Sequence, residues 1–454
     1  MNELRCDVCV IGAGSGGLSV AAGAVQMGAS VVLIEGHKMG GDCLNYGCVP
    51  SKALLSAARS GQDFGAAKVH VAKTIAAIEP HDSQARFEGL GCTVIRDYAR
   101  FVSPAVVEAG GAHIRARRFV IATGSSPFVP PIDGIETVEA HTNETIFDLR
   151  EKPEHLIIIG GGPIGIEMAQ AHRGFGCDVT VIEGARILGN EDREAAEVVK
   201  AVLEGQGVTV LENRKAIRIS SDGGVTVQTD KGTVTGSHLL VAAGRQVNVE
   251  KLDLAAGGID HDRKGVHVDA GLKSVSNRKV YAIGDVAGGP QFTHLAGYHA
   301  GVIVRSMLFG LPAKARTDHI PRVTYTAPEL AQIGPTEVEA MAKYGASLSI
   351  HRVDFSSNDR ALAGGATEGF LKLMVVKGRP IGVTIVGPQA GELIAMWAMA
   401  IANRTKLSFI TNTVLPYPTL AEINKRAASA YFTPKLFESP LVKRVVGLVQ
   451  RLLP

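Results

Sequence analysis

The stretch Gly40-Gly-Asp-Cys-Leu-Asn-Tyr-Gly-Cys-Val-Pro-Ser-Lys52 holds two cysteines, Cys43 and Cys48, with four residues between them. In a regular helix, residues five apart rise about 7.5 Å along the axis. A disulfide needs its Cα atoms within roughly 6.8 Å of each other. From the residues alone two readings stay open: the cysteines are unpaired, or the helix is distorted where Gly47 loosens the backbone. The segment follows an apolar run ending at Glu35, and that run belongs to a pattern the chain uses twice.

Cys6-Asp-Val-Cys-Val-Ile11 predicts a buried strand. Gly12-Ala-Gly-Ser-Gly-Gly17, a small-residue helix from Leu18 to Met27 and a second strand from Val31 to Ile34 follow. The same order returns as Leu156–Ile159, Gly160-Gly-Gly-Pro-Ile-Gly165, a helix, and Val179–Ile182 ending at Glu183. Gly12, Gly14, Gly17, Gly28 and Glu35 match Gly160, Gly162, Gly165, Gly176 and Glu183 at one constant offset. In such a unit the first glycine makes a tight turn, the second admits a pyrophosphate to the backbone, and the third packs helix on strand. The helix N-terminus offers free N–H groups and a positive dipole end to the phosphates, and the acid accepts from the ribose hydroxyls. Two copies in register predict two dinucleotide-binding units.

With Gly40-Gly41 before it and Cys48-Val-Pro-Ser-Lys52 closing it, the cysteine segment resembles the redox-active disulfide of the class I pyridine nucleotide-disulfide oxidoreductases. Dihydrolipoyl dehydrogenase, glutathione reductase and mercuric reductase belong to that family. Val120-Ile-Ala-Thr123-Gly124, Val241-Ala-Ala-Gly244-Arg245 and Tyr281-Ala-Ile-Gly-Asp285 add to the resemblance, which runs from residue 3 to about 430. It implies an α/β chain with two Rossmann-like domains, for FAD and NAD, and a C-terminal α+β dimerisation domain. The expected divisions are 1–150 and a return segment 271–320 for FAD, 151–270 for the nicotinamide nucleotide, and 321–454 for dimerisation. FAD contacts are expected at Gly12, Gly14, Gly17, Glu35, Gly41, Lys52, Thr123, Gly124 and Asp285, and NAD contacts at Gly160, Gly162, Gly165, Glu183 and Gly244. From Pro321 the pattern changes, to Val323–Leu330, strand-like runs Phe370–Val376 and Ile381–Val386, and a long helix Gly391–Ala402. In the family, C-terminal residues complete the partner subunit's active site, so a homodimer is expected.

The implied mechanism is a relay from NADH through the flavin to the cysteine pair. Cys48 would lie against the flavin and Cys43 would meet the substrate, with Lys52 and Glu167 matching a lysine–glutamate pair beside the flavin. NADH is expected over NADPH, because a 2′-phosphate would bring negative charge against Glu183; Arg186 lies close enough in sequence to soften that preference.

Departures from the family pattern carry as much information. Asp42 stands where many relatives have threonine and is read as a helix N-cap, although its charge would also disfavour a thiolate at Cys43. In Leu415-Pro-Tyr-Pro-Thr-Leu-Ala-Glu422 the family's proton-shuttling histidine is replaced by Tyr417, with Glu422 matching the acid that orients it. An unperturbed tyrosine, with a pKa of about 10 against about 6.5 for histidine, is a poor base. Pro-Tyr here and Pro290-Gln-Phe292 look like mercuric reductase, but that enzyme's C-terminal cysteine pair is missing, since no cysteine follows Cys177. Gln246-Val-Asn248 lacks a proline the family usually has. His294 and His299 are read as helix-end or packing residues, with replacement of the missing base as the alternative. Cys6 and Cys9 are expected on opposite faces of their strand, and Cys92 and Cys177 are expected to be structural.

At 454 residues the chain exceeds one ordinary core. A net charge of +3 and the lack of any basic-aromatic cluster argue against nucleic acid. Charged residues ahead of the first apolar run argue against a secretory signal, and no apolar stretch is long enough to span a bilayer. Six cysteines suit a reducing, cytoplasmic setting. The tail from Pro440 to Pro454 places leucines and valines on one helical side and Lys443, Arg444 and Arg451 on the other. It is read either as packing on its own dimer or as a peripheral membrane contact. The expected function is an FAD-dependent NAD(P)H oxidoreductase that uses the redox-active disulfide to reduce a disulfide or a soft electrophile, similar to mercuric reductase, with a small-molecule or protein-bound disulfide or a metal ion as the acceptor. A dihydrolipoyl dehydrogenase with a non-histidine proton route is one alternative; a flavoprotein regulatory or membrane-associated partner with incidental turnover is another.

Overall fold

The computed structural model describes residues 2–221 and 223–453 of the chain. By contacts the chain divides into two compact units: Met1–Gly184 with Leu211–Arg316, and Ala185–Val210 with Thr317–Pro454.

In the first unit, the strand Asn2–Ile11 lies parallel between Val31–Ile34 and Ala112–Ile121. Thr93–Ile95 extends the sheet on one side. Val280–Ala282 pairs in parallel with Phe119–Ile121, so a strand from far down the chain joins the sheet. Val8, Val10, Leu33 and Val120 fill one face, while Cys9, Ile11, Ile34 and Ile121 fill the other, all of them buried. A parallel sheet covered on both sides requires such unbroken apolar strands, because neither face meets water. The second glycine motif repeats the plan, with His155–Ile159 parallel to Asp178–Ile182 and His238–Val241.

Cys6 and Cys9 face the same core cluster, contrary to the alternation expected of them. The strand slips phase at Asp7, where the N–H groups of both Asp7 and Val8 reach Ser30 O. The facing strand changes phase with it, since Ile114 and Ala116 line the same cluster as Phe119 and Ile121, while the pairing of the two strands keeps one offset throughout.

In the second unit, five antiparallel strands run in the order Pro321–Thr324, Glu329–Ile333, Arg379–Gly387, Phe370–Val376, Leu348–Asp354. Trp397, Phe355, Leu371 and Ile385 anchor its core. The helix expected over Gly391–Ala402 is two pieces, Ala390–Leu393 and Ala395–Ala402. Asn424 causes the break: its Nδ2 donates to Leu393 O at 3.2 Å while its Oδ1 accepts from Trp397 Nε1 at 2.7 Å. Trp397 N–H then turns to Ile394 O.

Candidate active site

The two glycine motifs fold alike to within tenths of an ångström. A Cβ on Gly12 would sit 2.4 Å from Ala122 O, and one on Gly160 would sit 2.3 Å from Ala242 O. On Gly17 it would meet Gly12 O at 1.9 Å, and on Gly165 it would meet Gly160 O at 2.1 Å. Only hydrogen fits at these four places. Gly14 and Gly162 cap helices Ser15–Gln26 and Pro163–Gly174, and neither helix has a side-chain cap. Their N-termini therefore suit an anion. Glu35 Oε2 accepts from Ala13 N–H at 2.6 Å, and Glu183 Oε2 accepts from Gly161 N–H at 2.7 Å. Each acid thus braces the loop in front of it. These cradles fit the pyrophosphates of FAD and of a nicotinamide nucleotide.

The cysteine segment is docked on the first cradle. Gly40 N–H donates to Ala13 O at 3.0 Å. Gly41 has φ +61°, and a Cβ there would lie 2.7 Å from Gly14 Cα. The helix is broken into Gly41–Asn45 and Cys48–Arg59, with Tyr46 and Gly47 between them. That is the distortion the spacing allowed, and it brings the two sulfurs within hydrogen-bonding reach as free thiols. Cys48, the first residue of its helix, keeps an exposed face, whereas Cys43 is half-buried.

The pair is strongly polarised. The hydrogen bond from Cys43 pulls the Cys48 thiol down to about 6; desolvation opposes this, and Thr293 and the charge of Lys52 add to it. Cys43 goes well up, through that same hydrogen bond, desolvation and the neighbouring charges of Cys48 and Asp42. Between two coupled thiols, the first proton to leave belongs to the pair and the charge rests mainly on Cys48. Lys52 Nζ meets Glu167 Oε2 at 2.8 Å, with Glu167 buried.

Asp42 does not cap its helix; Gly40 holds that position and no side chain caps it. Gly40 and Gly41 both take positive φ, so the chain enters the helix one residue before Asp42 could act. Asp42 Oδ1 instead pairs with Arg245 at 3.2 Å and accepts from Asn143 Nδ2 at 3.0 Å. Arg245 Nε also donates to Ser125 Oγ at 2.7 Å, and Ser125 in turn donates to Asp285 Oδ2 at 2.5 Å. One guanidinium therefore serves two carboxylates, and burial pushes Asp285 up from the usual carboxylate range. Thr123 and Gly124 lie at the same crossing. Thr123 Oγ1 donates to Asn248 O at 2.7 Å, and Asn248 N–H donates to Gly124 O at 3.0 Å. Gly244 O accepts from Phe128 N–H at 2.9 Å.

His299 is buried, and its Nδ1 accepts from Gly284 N–H at 3.2 Å, a structural duty at the Asp285 turn. His294 stacks on Phe292 with centroids 5.3 Å apart. In the second unit Tyr417 is 69% exposed, and its hydroxyl donates to Asp359 Oδ2 at 2.9 Å. That bond and the charge of Asp359 hold the phenol above its ordinary value. Glu422 keeps a buried Oε2 with no hydrogen-bond partner among the described residues.

Ser125, Asn143 and Thr293 escape sequence reasoning, although Ser125 directly follows Thr123-Gly124 and Thr293 directly follows Phe292. Position after a motif was the only signal Ser125 and Thr293 offered, and Asn143 offered none.

A thiol pair that trades electrons with a diffusible carrier needs that carrier held close, and this fold has two cradles to do so. The class is a dinucleotide-dependent dithiol oxidoreductase. Residues 6–300 match the family described as "Pyridine nucleotide-disulphide oxidoreductase", and residues 320–428 match that family's dimerisation domain. The chain belongs to this family. It is therefore an oxidoreductase that works with FAD and a nicotinamide nucleotide, and it carries the domain through which the family forms homodimers.

Among curated relatives, mercuric reductase from Lysinibacillus sphaericus is 33% identical over 457 residues, covering 95% of this chain and 83% of its own. Dihydrolipoyl dehydrogenase from Thermus scotoductus is 34% identical over 452 residues, covering 93% and 97%. Among solved structures, the Cu(II) complex of the HOCl-induced flavoprotein disulfide reductase RclA from Escherichia coli superposes with a TM-score of 0.87 at 28% identity. It covers 94% of this chain and 99% of that one.

Proposed function

We propose that this enzyme uses NADH, FAD and the Cys43–Cys48 pair to reduce a soft, thiol-seeking metal cation in preference to a disulfide. The observation that carries this is the Tyr417 hydroxyl donating to Asp359 where the family has its histidine. The Cys43 thiol is pushed up, and Tyr417 is held as a phenol by Asp359. Disulfide exchange needs Cys43 as a thiolate, because the thiolate is the nucleophile. A metal cation releases the proton itself on binding sulfur, and soft thiolates favour soft cations. The assembled site would follow the domains 1–150, 151–270, 271–320 and 321–454.

When bound, FAD supplies acceptance of a hydride from the nicotinamide and delivery of an electron pair to the cysteines. The chain's residues do the rest. The two electrons break the Cys43–Cys48 bond; Cys48 keeps the negative charge and Cys43 takes one proton. Lys52, paired with Glu167, sets positive charge along the Cys48 helix. Asp285, through Ser125 and Arg245, ties the turn that would meet the flavin's ribityl chain to the cysteine helix. Glu183 favours NADH by opposing a 2′-phosphate.

An NADH-oxidation screen of the purified enzyme against mercuric ion, cupric ion, lipoamide, glutathione disulfide and quinones tests this reading. At pH 7 a soft cation should be the fastest acceptor. Lipoamide as the fastest would favour dihydrolipoyl dehydrogenase chemistry, and no turnover with any acceptor would favour a regulatory flavoprotein. Equal kcat/KM for NADH and NADPH would remove the role given to Glu183.

A further inference from the structure

In the reduced pair the charge rests mainly on Cys48. The groups facing the cysteine pair are Asp42 beside Cys43, Lys52 and Glu167 along the Cys48 helix, and Thr293 from another element. Lys52 shares its charge with Glu167 at 2.8 Å. Thr293 is different in kind. It is the first residue of helix Thr293–Phe309, which has no side-chain cap, and its Oγ1 lies 3.4 Å from Cys48 Sγ. The same hydroxyl also reaches Cys43. A hydroxyl has one hydrogen to give and rotates to suit, so it can serve one sulfur at a time. Cys48 begins one helix and Thr293 begins another, and helix N-termini favour negative charge.

We propose that the Thr293 hydroxyl is the hydrogen-bond donor that holds the Cys48 thiolate once the Cys43–Cys48 bond is broken. This rests on the reading of Cys48 as the charged sulfur of the reduced pair. Two electrons and one proton enter in that step; the proton stays on Cys43, and Thr293 keeps its own hydrogen while sharing it with Cys48. The hydroxyl thereby favours the reduced, singly charged pair over the disulfide.

The test is residue-resolved alkylation of the dithiothreitol-reduced, FAD-loaded enzyme with iodoacetamide across pH, read by peptide mass spectrometry. The long-wavelength thiolate–flavin absorbance is titrated in parallel. Thr293→Val should raise the Cys48 midpoint by about one unit, because a hydrogen bond to a charged group is worth roughly that much. Near the wild-type midpoint this is roughly a fivefold loss of thiolate. Thr293→Ser keeps the hydroxyl and should hold the wild-type midpoint. The proposal is overturned if both variants titrate like wild type, or if both shift equally, which would point to the methyl group rather than the hydroxyl. A wild type whose Cys48 titrates no lower than its Cys43 would instead overturn the assignment of the charged sulfur, and Thr293 with it.

Discussion

Tyr417 donates its hydroxyl to Asp359, and that bond decides how the C-terminal segment can handle protons. A carboxylate accepting from a phenol favours the protonated phenol, so the group is an even weaker base than its type suggests. Tyr417→His should therefore increase dihydrolipoamide oxidation at pH 7. A positioned general base contributes about 100-fold at the low end, and a first substitution into a shell fitted to a phenol should recover part of that. Asp359, which already accepts from the side chain at this position, can orient an imidazole there. The wild type's own dithiol oxidation should climb toward alkaline pH, since without a histidine base the substrate thiols that attack the disulfide must ionise unaided, their unperturbed pKa being about 8.5. Rapid wild-type oxidation of dihydrolipoamide at pH 7, with no gain from histidine, would contradict this.

At the scale of elements, the approach of the cysteine helix to the first glycine loop depends on a missing side chain. A Cβ on Gly41 would lie 2.7 Å from Gly14 Cα, against backbone that cannot give way, and at a φ of +61°. Gly41→Ala should push the helix off the loop and spoil the FAD cradle. The purified variant should carry substoichiometric FAD by absorbance ratio; full FAD content with unchanged thermal unfolding would refute the argument.

A second element-level dependence lies at Lys372. This buried amine meets Asp192 and Glu194 at 3.1 Å and Glu337 at 2.7 Å. Burial alone would lower its pKa, but the bonds from Glu337, Asp192 and Glu194 together raise it. A raised lysine contributes stability that is present below its unfolded value and lost as pH climbs through the folded one, so its loss should be felt from neutral pH into moderate alkali. Lys372→Ala leaves the buried Asp192 carboxylate without its cation and should cost about 3 kcal/mol in denaturant unfolding at pH 7, with the penalty shrinking in strong alkali. A loss under about 0.5 kcal/mol, the level of an ordinary surface substitution, would exclude it.

For the whole molecule, the open question is what covers the tail. Helix Pro440–Leu452 buries none of its residues within its own chain, and Leu441, Leu448 and Leu452 are all exposed. The last residue of the segment, Pro454, lies outside the described residues. No helix among the described residues is long and apolar enough to cross a membrane. Burial against the second copy follows most directly from the preceding dimerisation domain, which is matched through residue 428. Deleting residues 440–454 should then raise the dimer dissociation constant by sedimentation analysis, with no change in vesicle binding. An unchanged dimer, together with loss of co-sedimentation with anionic vesicles, would assign the helix to a membrane surface instead.

The sequence by itself determined the two dinucleotide units, the cysteine pair and the family. These rest on local necessities: glycines where a Cβ would strike a carbonyl, an acid one strand later, and apolar runs that must be covered on both faces. Such constraints act over a few residues and leave a readable spacing. Tertiary structure alone decided that Asp42 pairs with Arg245 rather than capping a helix, because Arg245 arrives from about 200 residues away. It alone turned Cys6 and Cys9 to one face, beside the point where the N–H groups of Asp7 and Val8 both meet Ser30 O. It alone brought Thr293 to Cys48, 245 residues apart in the chain. A side chain's charge and donors are fixed by its type, but its partner is whichever group the fold carries within about 3 Å, and no local pattern records that.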